Sequence, residues 1–100
     1  MVLCQKEIHV VTDTTKLEIW ERTDQICKLL IKNNLNYSTL DIADENDKDI
    51  IDEIVELEKL KNNNIALPFF SIDGKIIGDN ATLYNLTQNK KIIGMARYYT

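Results

Sequence analysis

Residues 65–78 read Ile-Ala-Leu-Pro-Phe-Phe-Ser-Ile-Asp-Gly-Lys-Ile-Ile-Gly, two apolar runs joined by Asp73-Gly74. Asp-Gly between apolar runs is what a two-residue type I′ turn selects, because both central positions need positive φ. A β-hairpin is therefore expected, with Ile65–Ile72 as its first arm and Lys75–Gly78 as its second. Gly78-Asp79-Asn80 then opens a short helix, Ala81 to Gln88, with Asp79 or Asn80 as its N-cap. A chain that must hold this hairpin cannot be all-helical.

The residues before the hairpin supply the rest of a sheet and its cover. Glu7–Thr12 is a short β-branched run ending at Asp13-Thr14-Thr15, and reads as a buried strand. From Lys16 to Asn33 the period changes. Ile19, Trp20, Thr23, Ile26, Cys27 and Leu30 recur at three- and four-residue steps, as on one helix face, with Trp20 as a core anchor. Tyr37–Ile42 is a second strand. Asp44 to Leu60 is a helix with acids in its first turns, where the dipole favours them, and Ile50, Ile51, Ile54, Val55 and Leu57 form its buried stripe. Asn62-Asn63-Asn64 ends it. The tail, Lys90 to Thr100, has no clear period: Ile92-Ile93 can pack, and Arg97-Tyr98-Tyr99 reads as exposed.

The order is β-α-β-α-β-β-α. The first β-α-β is parallel and right-handed, and the hairpin adds an antiparallel pair. The result is an α/β fold: a four-stranded mixed sheet in spatial order 4-3-1-2, helices one and three on one face and helix two on the other. Its core comprises Ile8, Val10, Ile26, Leu30, Leu40, Ile42, Ile54, Phe70 and Ile72.

At 100 residues the chain makes one domain, residues 1–100, and 44% apolar residues suffice for one core. A net charge of −4 argues against a nucleic-acid surface. Residues 41–58 hold nine acids against one Lys, a solvated helix face or a docking face for a basic partner. No run reaches the ~20 apolar residues of a membrane span, and no secretory signal is visible. Cys4 and Cys27 are the only cysteines and fit no metal or haem spacing, so reduced thiols in the cytoplasm are expected. Cys27 reads as a small core residue, Cys4 as a bystander in a frayed start, and His9 as a packed strand residue. No nucleophile stands beside a base, and neither a carboxylate pair nor a phosphate loop marks a cleft.

The element order, Leu67-Pro68 before the third strand, and Ile72-Asp-Gly-Lys-Ile-Ile-Gly78-Asp79 together resemble the glutaredoxins, over residues 6–89. The resemblance implies a thioredoxin fold with a cis Leu67–Pro68 bond. It also implies a ligand groove whose backbone contact is at Leu67 and Pro68, with Gly78, Asp79 and Asn80 near the ligand's charged end. Thr12 and Asp13 border the same groove. The departure lies after the first strand, where that family carries its nucleophilic cysteine. Here the stretch Thr12-Asp-Thr-Thr-Lys-Leu-Glu-Ile-Trp-Glu21 has none, and Asp13 brings the wrong charge for a thiolate.

Asp41-Ile42-Ala43 and Leu67-Pro68 make the chain similar to a branch without those cysteines, the SH3-domain-binding glutamic-acid-rich proteins. That resemblance implies a non-catalytic protein-interaction module with no cofactor. A single proline rules out a P-x-x-P ligand for SH3 domains. The alternative is a glutathione-linked protein, binding glutathione or using Cys4 or Cys27 as a single thiol. The expected partner is another protein rather than nucleic acid or membrane.

Overall fold

The computed structural model describes residues 3–59 and 67–99. Strands β1 (Leu3–Gln5) and β2 (Ile8–Thr12) are followed by helix α1 (Leu17–Lys32) and strand β3 (Ser38–Asp41). A 3-10 turn at Glu45–Asp47 leads into α2 (Lys48–Lys59). After it come β4 (Phe69–Ile72), β5 (Lys75–Gly78), α3 (Asn80–Gln88), α4 (Lys91–Ala96) and β6 (Arg97–Tyr99). The expected helix stop at Asn62–Asn64 and the first residues of the hairpin's leading arm lie outside the described residues, as does the side chain of Leu57.

The main sheet has the order β3-β2-β4-β5. β2 runs parallel to β3 and antiparallel to β4, and β4 is antiparallel to β5, as the hairpin and the β-α-β rule require. Asp73 and Gly74 both take positive φ, 51° and 79°. The Asp73 amide donates to the Glu7 carbonyl at 2.8 Å, and its carboxylate accepts from the Glu7 amide at 3.1 Å, which fastens the turn to the start of β2.

Alternation along the strands divides the core. Ile8, Val10, Phe70 and Ile72 point toward α1, α3 and α4, where Ile26, Leu30, Leu83, Ile92 and Ala96 complete one buried cluster. Val11, Leu40 and Phe69 point the other way and meet Ile51 and Ile54 of α2.

Four assignments from sequence are corrected. Ile42 is 48% exposed, because β3 ends at Asp41 and the chain turns away before Ile42 can reach the core. Ile50, 42% exposed, stands on the flank of α2 beside the stripe that holds Ile51 and Ile54. Trp20 is 45% exposed, on the outer side of α1 from Thr23, Ile26 and Leu30. The segment that holds Cys4 is not frayed: β1 pairs antiparallel with β6, Cys4 opposite Tyr98. The tail forms α4 and then this strand. Its attachment is reinforced by the Gln5 amide, which donates to the Asn36 carbonyl at 2.6 Å and accepts from the Asn36 amide at 2.8 Å, and by Arg97, which donates to the Asn34 carbonyl at 2.8 Å.

Candidate functional site

Strand direction brings the residues singled out in sequence to one end of the sheet. Thr12 closes β2 and lies opposite Asp41 of β3. Val11 lies opposite Phe69, so Leu67 and Pro68 come just beyond the last β2–β4 pair, beside Thr12. Phe70 lies opposite Gly78, which carries Asp79 and Asn80 to the same end. The Leu67–Pro68 bond is cis. Pro68 is buried and Leu67 half-buried.

The loop between β2 and α1 is held by carboxylates. Asp13, only 6% exposed, accepts from the Thr15 amide at 3.0 Å and from the Thr15 hydroxyl. Asp41 accepts from the Thr14 amide at 3.2 Å, from the Thr14 hydroxyl, and from the Ala43 amide at 2.9 Å. The Thr14 hydroxyl leads the donors that hold the Asp41 carboxyl below its ordinary range. Thr12 turns inward and shares a hydrogen bond of 2.7 Å with the buried Thr23 hydroxyl. The hydroxyls at the start of α1 are therefore engaged as donors to the Asp41 and Asp13 carboxylates.

At the neighbouring corner Asp79 caps α3, accepting from the Thr82 amide at 3.0 Å and from its hydroxyl at 3.2 Å. Asn80 donates to the Gln25 side chain at 2.7 Å, tying α3 to α1. Between these helices runs a groove of about 510 Å³ walled by Leu29, Ala81 and Tyr84 and rimmed by Gln25, Asn80 and Asn85. Sequence reading missed this groove, since it depends on how two separate helices pair.

The thiols lie elsewhere. Cys27 is ten residues into α1, roughly 15 Å from its start. It is half-buried and hydrogen-bonded with Tyr37; burial foremost pushes its thiol up, and the same bond leads in moving the Tyr37 hydroxyl to about 12. Cys4 sits in β1, before β2 begins, and neither cysteine is in a disulfide.

His9 is packed, as a strand residue should be, but it does meet an acid: Nε2 lies 2.6 Å from Glu7 Oε1. Ser71 is its cross-strand neighbour, but among the described residues neither His9 Nδ1 nor Ser71 Oγ makes a hydrogen bond, so acid, imidazole and hydroxyl form no relay. Ser71 is wholly buried under α2, so no substrate reaches that hydroxyl. Among the described residues no group of three or more His, Cys, Asp or Glu is arranged to hold a metal ion, and no helix is long and apolar enough to cross a membrane.

No family model matches the chain, and no curated protein matches it significantly. Solved structures do. The actin interacting protein Aip5 of C. albicans superposes with a TM-score of 0.70 at 13% identity, over 90% of this chain and 87% of that one. Glutaredoxin 1 of Francisella tularensis gives 0.61 at 17% identity, over 93% and 99%. A buckwheat glutaredoxin solved with glutathione gives 0.63 at 21% identity, over 90% and 76%. The chain has a glutaredoxin-like, thioredoxin-type fold.

Proposed function

We propose that this protein is a non-catalytic glutaredoxin-fold module that binds a protein partner at the end of the sheet formed by Thr12, Asp13, Leu67 and Pro68. The observation that carries the reading is the loop before α1. Where a glutaredoxin presents its thiolate, this chain presents Thr14 and Thr15, whose hydroxyls donate to Asp41 and Asp13. Cys27 lies about 15 Å along α1 from that loop, and burial foremost pushes its thiol up. Main-chain recognition beside Pro68 needs neither cysteine. An extended peptide adds affinity through backbone hydrogen bonds and specificity through side-chain contacts. Ile42, exposed next to this corner, offers an apolar contact, and its amide donates to the Thr12 carbonyl at 2.9 Å, which fixes its place. Two structural neighbours are actin-interacting by name, which supports a protein as partner. The likeness to the SH3-domain-binding glutamic-acid-rich proteins points the same way, without their proline-rich ligand.

The test pairs an assay with a capture. Glutathione-dependent disulfide reductase activity is expected at background for the purified protein and for the Cys4→Ser and Cys27→Ser variants. Partners captured from extract are expected to be the same with and without reductant and to be weakened by Ile42→Glu. Turnover abolished by either cysteine substitution, or partners held only as mixed disulfides, would establish the glutathione-linked reading instead.

A further inference from the structure

Helix α1 carries an outward stripe that its own fold leaves uncovered. Leu17, Trp20, Asp24, Lys28 and Ile31 follow one another at steps of three, four, four and three residues. At 3.6 residues per turn these five fall within roughly 80° of arc, away from the buried Thr23, Ile26 and Leu30. Leu17 is 71% exposed, Trp20 45% and Ile31 62%. Between them Lys28 Nζ lies 2.8 Å from Asp24 Oδ2, both side chains solvent-accessible.

We propose that this stripe is a self-association surface on which a second copy of the chain packs with its α1 antiparallel to the first. In a two-fold contact centred on Asp24 the stripe pairs with itself, residue i meeting j while j meets i. Reversal sets Leu17 against Ile31 of the other copy, aliphatic on aliphatic. It sets Trp20 against Lys28, an indole facing an ammonium. The two Asp24 meet near the axis, each held by its own Lys28, so the four charges sum to zero. A parallel pairing would instead align Lys28 with Lys28 and the two helix dipoles with each other. The stripe begins where the Thr14–Thr15 loop enters α1, and the proposal does not depend on the function proposed for the Leu67–Pro68 corner.

A single helix pair buries less than a standard protein interface, so association is concentration-dependent. Sedimentation equilibrium from about 10 µM to about 1 mM, a range that reads weak Kd values, is expected to show the mass climbing from 11.6 kDa toward twice that. Ile31→Glu is expected to hold the mass at one copy, while Ile50→Glu, exposed on α2 across the sheet, leaves association intact. Orientation is tested in a Cys4→Ser, Cys27→Ser background. Leu17→Cys and Ile31→Cys proteins, mixed and oxidised, are expected to cross-link to each other. Neither cross-links to itself, since like residues lie roughly 21 Å apart in the antiparallel pair, beyond disulfide reach. A mass of one copy throughout, or self-cross-linking of Leu17→Cys without the mixed product, overturns the proposal.

Discussion

Gly78 shows how closely the candidate corner is built. A Cβ placed there would stand 2.5 Å from Thr82 Oγ1 and 2.7 Å from Thr82 Cβ. Thr82 cannot easily turn aside, because its amide and hydroxyl both donate to Asp79. Gly78→Ala is expected to destabilise by about 1–3 kcal/mol, the usual cost of overpacking, measured by urea denaturation. An unchanged midpoint would mean that the strand–helix junction relaxes freely. Asp41 makes a prediction in pH. Its carboxyl is more acidic in the fold than in the open chain, so its contribution is present above the ordinary carboxylate range and lost as pH falls through the folded value. Asp41→Asn is therefore expected to lower Tm at neutral pH, with the gap to the parent closing on acidification. A gap constant from pH 7 to pH 2 would show that the carboxylate does not hold the loop. Cys27, its thiol raised chiefly by burial, is expected to alkylate more slowly in the folded protein than in urea at the same pH. Mass-resolved labelling of that residue checks it. Asp79 as a cap was legible in the sequence, because a cap is a local matter. The partners of Asp41 were not, since they are set by parallel pairing with a strand 29 residues earlier.

At the scale of elements, α2 separates a right reading from a wrong one within a single turn. Ile54 is 4% exposed, among Val11, Leu40 and Phe69, whereas Ile50 faces out. Ile54→Ala is expected to cost about 2–5 kcal/mol, and Ile50→Ala to stay within about 0.5 kcal/mol. Comparable losses in thermal melts of the two would move the buried face. Helical period alone admitted both residues, because an apolar arc read from sequence has no sharp edge; packing against the sheet draws that edge. Trp20 was misassigned for the same reason on α1. Strand identity was more secure, since the Asp73-Gly74 turn and the β-branched run of β2 each specify a backbone and not only a face.

Across the whole molecule, the sheet order and the division of helices between its faces followed from two rules acting on few elements, hairpin closure and the handedness of β-α-β connections. The pairing of β1 with β6 did not follow from either. It joins residues more than ninety positions apart, and neither three-residue strand carries a pattern that names its partner. Leu3 opposite Tyr99 sets the start of β1 and the end of β6 at the same end of that ribbon. A force drawing Leu3 and Tyr99 apart therefore loads the ribbon's hydrogen bonds one after another from Leu3 toward Gln5, not all together in shear. The β1–β6 ribbon yields like a zipper while β2, β4 and their covers still hold, so in single-molecule stretching between residues 3 and 99 a short, low-force opening is expected to precede rupture of the main sheet.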